Sequence, residues 1–244
     1  MKRFLAAVQF LTVIPVPYTC DERDLGRSAL LFPVIGLLIG AGMLVINIFF
    51  GAFFPPLVGN VLLVIAMVAV SGGLHMDGLA DTADGFFSAR PRDRVLEIMK
   101  DSRTGVMGVI AVASVLSLKM AALISVPPGL RGSTLLLMPL AGRCALVIEL
   151  AALPYARPEG GLGALFGADK SRWDPVFAVA VLAAVAGWAS GLSGLVTTGA
   201  VVAITLIFSW WCRQKIGGFT GDTLGAACEL AELVPALVAA ARAH

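Results

Sequence analysis

Apolar runs broken by short polar or proline-rich punctuation organise this chain. Seven of them, at 28–50, 57–76, 105–125, 133–152, 174–192, 194–212 and 223–241, approach or exceed the ~20 residues with which an α-helix crosses a bilayer core. Pro55 and Pro56 make the turn after the first run, and Pro127, Pro128 and Gly129 end the third. A polar loop of roughly 154–173 follows the fourth run, and a short Gly/Ser stretch splits the fifth from the sixth. Pro33 is expected to kink the first span, because it removes a helix hydrogen bond. The second span is expected to run straight into an acidic helix at Asp77. Residues 1–17, MKRFLAAVQFLTVIPVP, have no A-x-A-like cleavage site and are short for a span. They predict an amphipathic or re-entrant helix at the interface, ended by Pro15 and Pro17. The expectation is an all-α polytopic integral membrane protein, about seven transmembrane helices plus that N-terminal helix, in one domain over 1–244.

Composition strengthens this. Of 244 residues 58% are hydrophobic and 14% charged, and the mean hydropathy is +0.90, far above a soluble domain. A net charge of +2 gives no field for nucleic acid; the bulk partner is membrane lipid. The sequence is compatible with a homo-oligomer. Charge also orients the chain. With the N-terminus in the cytoplasm, Arg131 and Arg242 fall outside and Lys119 and Arg143 within spans, leaving 14 of 18 basic residues inside. Four cysteines, Cys20, Cys144, Cys212 and Cys228, form no CxxC pair and suit a structure without disulfides. Trp188, Trp210 and Trp211 lie near span ends, as an aromatic belt requires.

Against this apolar background residues 71–103, SGGLHMDGLADTADGFFSARPRDRVLEIMKDSR, stand out. They hold six of the 16 acidic and five of the 18 basic residues. Asp77, Asp81 and Asp84, at i, i+4 and i+7, fall on one helix face and repel one another. A divalent cation would relieve that repulsion. Hard oxygen donors without Cys or paired His suit Mg²⁺, Mn²⁺ or Ca²⁺ better than Zn²⁺. The plain alternative is a solvated face. Glu97, Lys100, Asp101 and Arg103 follow closely, and carboxylates beside cations are what phosphoryl transfer needs. His75, two residues before Asp77, suits a proton carrier, a phosphate donor or a packing residue; the terminal His244 carries no signal. Gly217, Gly218 and Gly221 precede Asp222 and offer backbone N–H groups to a phosphate, or simply make a turn. Lys119, Arg143, Glu149, Glu229 and Glu232 sit in apolar runs, where charges pair inside a bundle. Arg143 fits either an ion pair, with Glu149 or a last-helix acid, or a substrate phosphate.

GGLHMDGLADTADG followed by RDRVLEIMKDSRTGVMGV resembles the signature of the cobalamin synthases, the adenosylcobinamide-GDP ribazoletransferases. FLTVIPVP at 10–17 and GGFTGDTLGAACELAE at 217–232 resemble that family in the same order. Met76 departs from relatives that carry an acidic residue beside the first aspartate. The resemblance implies a Mg²⁺-dependent transfer from adenosylcobinamide-GDP to α-ribazole or its 5′-phosphate, in a bacterial or archaeal cytoplasmic membrane. The active site would face the cytoplasm. Candidate catalytic residues are then Asp77, Asp81, Asp84 and His75. Candidate metal ligands are Asp77, Asp81, Asp84 and Asp222. Candidate phosphate contacts are Arg90, Lys100, Arg103, Arg143 and Gly221. Two other readings stand beside this one. The aspartate spacing is similar to the CDP-alcohol phosphotransferases, without their Ala-Arg. A cation transporter would use the acids as a pathway, although such sites lie nearer the bilayer midplane. Asp222, about 140 residues beyond the triad, is expected on the same polar cavity as Asp77, Asp81 and Asp84.

Overall fold

The structure is a computed structural model that describes residues 1–17, 21–168 and 171–243. Cys20, Lys170 and His244 lie outside the described residues. Twelve α-helices are described: α1 Lys2–Leu11, α2 Glu22–Gly26, α3 Phe32–Phe53, α4 Pro56–Val70, α5 Leu74–Phe86, α6 Arg92–Ile98, α7 Val106–Ser125, α8 Pro128–Ala152, α9 Leu162–Ala168, α10 Asp174–Ser190, α11 Leu192–Ile216 and α12 Gly221–Ala240. Short 3₁₀ turns precede α3 and follow α12. Among the described residues there is no strand, only one isolated bridge between Tyr155 and Phe219.

The all-α polytopic fold is as expected, but its spans are not seven equal rods. Among the described residues five helical segments are long and apolar enough to cross a membrane, and α4 with α5 makes a sixth only as a pair bent by 86°. The fifth expected span, 174–192, is α10, of 17 residues, about 25 Å long at 1.5 Å per residue. The acidic helix therefore does not continue the second span. α4 stops at Val70, Gly72 and Gly73 take φ of 62° and 78°, and α5 leaves at a steep angle. Only glycine adopts two such successive conformations cheaply. Pro33 does not kink its span either. It stands in the first turn of α3, where a missing N–H costs nothing.

α8 and α12 form the centre. α8 packs against α3, α10, α11 and α12, and α12 against α5, α7, α8 and α11. The outer helices turn apolar side chains outward: Val45, Ile48, Val106, Trp188 and Leu192 are all more than two-thirds exposed. Such a surface is tolerable in lipid and not in water. Trp210 also points outward, whereas Trp211 packs edge-on against Phe86 and Phe87. Cys144, Cys212 and Cys228 are buried and free.

The buried charges cross-link three helices. Lys119 Nζ of α7 lies 2.6 Å from Glu229 and 2.7 Å from Glu232 of α12. Arg143 of α8 pairs with Glu232 as well. Two cations thus meet two anions in this cluster. Glu149, the other expected partner of Arg143, instead lies against Thr223 and Cys212.

Candidate active site

The motif regions converge at one end of the bundle. α5 presents Asp77 exposed and Asp81 and Asp84 half-buried. α12 begins with a capping box: Thr220 Oγ1 accepts from Thr223 N, and Thr220 N donates to Thr223 Oγ1. This box places Asp222 in the first turn, where the helix dipole favours an anion. The two helices then cross almost backbone to backbone. A Cβ on Gly78 would lie 2.7 Å from the Asp222 carbonyl oxygen, and one on Gly225 would lie 2.9 Å from that of His75. Any side chain at either glycine would push the two motifs apart.

The crossing leaves an enclosed cavity of about 130 Å³ whose lining includes His75, Asp77, Gly221 and Asp222. Asp81 and Asp84 do not line it. Asp81 nevertheless feels the charges of Asp77, Asp222 and Asp84, and of Arg157 on the other side of the balance. Asp84 has a different employment. One of its oxygens accepts from Gly105 N at 2.6 Å and the other from Gly108 N at 2.8 Å. It caps α7 and ties the acidic helix to the loop after α6.

Arg157 Nη2 donates to Asp222 Oδ2 at 2.6 Å. Its loop is held by the bridge in which Ala156 N donates to Phe219 O and Phe219 N to Pro154 O, each at 2.9 Å. Arg92 braces the same corner, donating from Nε to Ile216 O at 2.7 Å and from Nη2 to Ala156 O at 2.8 Å. The C-terminal motif is thus pinned from the loop after α8 and from α6.

Among the described residues no three His, Cys, Asp or Glu side chains converge as a metal cage. Mg²⁺ does not need one. It keeps several waters and takes one or two carboxylates together with substrate phosphates. Among the described residues Asp77 and Asp81 accept no hydrogen bond, and Asp222 stands across the helix crossing from them. The donor set therefore fits a hard divalent ion completed by substrate, with Asp84 in a supporting place.

A family profile described as cobalamin-5-phosphate synthase matches residues 3–240. The chain belongs to that family. Curated relatives named adenosylcobinamide-GDP ribazoletransferase include one from Desulforamulus reducens, 41% identical over 93% of this chain and 91% of its own. One from Acetivibrio thermocellus is 40% identical over 94% of each chain, and one from Geotalea daltonii is 36% identical over 96% and 95%. No solved structure matches this chain. As a cobalamin synthase the protein is an enzyme, a membrane-embedded transferase of cobalamin biosynthesis.

Within this synthase the expected phosphate contacts are dispersed. Arg90 is exposed. Lys100 pairs with Glu159 on the loop that carries Arg157. Arg103 folds back on Asp101, and its hydrogen bonds hold the Asp101 carboxyl down at about 2. Arg143 is buried with Glu232, so of its two expected roles it shows the ion pair. Gly221 lines the cavity beside Asp222. Sequence reasoning missed Arg157 as a site residue and counted it only for topology. It also missed Phe10 and Phe32, which wall the cavity from α1 and α3. Nothing in an apolar run marks such residues out; only Arg157, in a Gly-rich polar loop, carried a usable signal.

Proposed function

We propose that this synthase transfers the phosphocobinamide moiety of adenosylcobinamide-GDP to α-ribazole or its 5′-phosphate, releasing GMP. The observation that carries the reading is the Gly78–Asp222 crossing, which sets the C-terminal aspartate beside the acidic helix on one cavity with Asp77. A ribose hydroxyl oxygen of the acceptor forms a bond to the phosphorus that bears cobinamide. The bond from that phosphorus to the bridging diphosphate oxygen breaks, and GMP departs with the electron pair. Asp77, exposed at the cavity, takes the hydroxyl proton. Arg157 lies beside Asp222 and meets the phosphate oxygens. One aligned donor of this kind is worth ~10²–10³ in rate.

Asp81 and Asp222 would hold Mg²⁺. When bound, the ion neutralises the diphosphate and the departing GMP. Asp84 keeps its side of α5 in register with α7. The excess of basic residues on the loops at this end supports a site facing the cytoplasm from the cytoplasmic membrane. Purified protein in nanodiscs should release GMP only with both substrates and Mg²⁺ present. GMP release without the acceptor, or equal release in EDTA, would reject the reading.

A further inference from the structure

Two cavities meet at Asp77. The enclosed one, about 130 Å³, is bounded by α1, α3, α5, α8, α9 and α12. The other is an open groove of about 1000 Å³ between α1, α4, α5 and α7. Phe10, Leu74 and Asp77 belong to both.

Resting on the transfer reading above, we infer that the enclosed cavity receives the planar benzimidazole base of the acceptor. In this arrangement His75 Nε2 donates to the unsubstituted ring nitrogen, and the corrinoid lies in the groove.

Size separates the two reactants. An apolar cavity of ~150 Å³ holds a single aromatic ring, so the enclosed space is of the class that admits one flat ring system. A corrin macrocycle with its side chains cannot enter it, whereas the groove is of a size for large ligands.

Wall chemistry then selects the ring. Phe10 and Phe32 lie nearly parallel, at 14°, with centroids 5.7 Å apart, and Phe166 packs against both. Leu146 and Leu224 close the other sides. Aromatic and branched walls favour an apolar aromatic guest. Among the lining residues His75 is only 3% exposed, and its Nε2 has no hydrogen-bond partner among the described residues. An orphaned buried polar atom is costly and calls for a partner. An imidazole protonated on Nε2 is a single donor there. A benzimidazole riboside offers one free ring nitrogen as acceptor, so donor and acceptor match one to one. The guanine of the donor substrate would bring several donors and acceptors into the same space and leave most of them unmet. The polar rim completes the fit. With the base inside, the ribose lies at Asp77 and Asp222, where the attacking hydroxyl is required. His75 is on this view a recognition residue rather than a proton carrier.

The test separates binding from turnover. Isothermal titration of the full-length protein in detergent, without donor substrate, compares α-ribazole with the matching indole riboside, which has C–H in place of the ring nitrogen. The wild type should bind α-ribazole about tenfold or more tighter than the indole compound, the scale of one buried hydrogen bond. His75→Phe should erase that preference. Leu146→Phe, which fills the cavity, should weaken both ligands together while the KM for adenosylcobinamide-GDP stays unchanged. Equal wild-type affinities, a preference that survives His75→Phe, or undiminished binding in Leu146→Phe would each overturn the subsite. Failure of GMP release in the transfer assay would instead reject the transferase reading, whatever the titrations show.

Discussion

Arg157 Nη2 stands 2.6 Å from Asp222 Oδ2, joining the loop after α8 to the first turn of α12 across the intervening α9, α10 and α11. The pair carries the guanidinium into the neighbourhood of the acidic helix, where Asp81 also feels its charge. Arg157→Gln should therefore lower kcat/KM for the donor substrate by ~10²-fold, with the protein folded. Arg157→Lys should recover part of the loss, because a lysine keeps the charge but not the planar fork. GMP release at varied donor concentration reads both. Wild-type kinetics in Arg157→Gln would remove this arginine from the site.

The acidic helix should divide into a functional and a structural part. Asp84 holds two backbone N–H groups at the start of α7, so Asp84→Ala should cost ~1–2 kcal/mol of stability, as loss of a helix cap does. Asp81→Asn should leave the melting temperature unchanged yet abolish transfer at ordinary Mg²⁺. Thermal unfolding in detergent, run beside the transfer assay, distinguishes the two. Full activity in Asp81→Asn would take the acidic face out of the mechanism.

Lys119 is fully buried between Glu229 and Glu232. Replacing it with Met leaves two carboxylates against Arg143 alone, and an uncompensated buried charge costs ~3–5 kcal/mol. Lys119→Met should therefore yield little folded protein. The double change Lys119→Met with Glu229→Gln restores the balance and should recover most of it. Size-exclusion profiles of the three proteins decide the matter, and a double variant no better than the single would show that the coupling is not electrostatic.

Ser88 lies in the turn just after α5, half-exposed. In a cysteine-free background Ser88→Cys should react with an impermeant maleimide only from the cytoplasmic side. Labelling in intact cells from outside would reverse the orientation proposed for the site.

How the motifs lie relative to the membrane spans was only partly legible. The run 57–76 is apolar throughout, and a hydropathy profile does not reveal that Gly72 and Gly73 swing the chain by 86°. Dihedral freedom is a permission that glycine gives; whether the chain uses it depends on what α5 finds to pack against. The same holds for Pro33, whose effect depends on whether it falls in the first turn of a helix or inside it.

By itself the sequence determined the class of molecule. Apolar runs of spanning length leave no soluble alternative, because backbone polar groups in lipid must be satisfied within helices. It also determined the i, i+4, i+7 face of Asp77, Asp81 and Asp84, since that depends only on helical period. Tertiary structure alone decided how the acids are used. Asp84 became a cap because Gly105 and Gly108 direct their N–H groups at it, and Asp222 joined the site because Gly78 and Gly225 let two backbones touch. Arg143 became part of an ion pair because Glu232 faces it across α8 and α12. These assignments rest on contacts between residues far apart in the chain, and no local pattern records which partner a carboxylate or a guanidinium will meet.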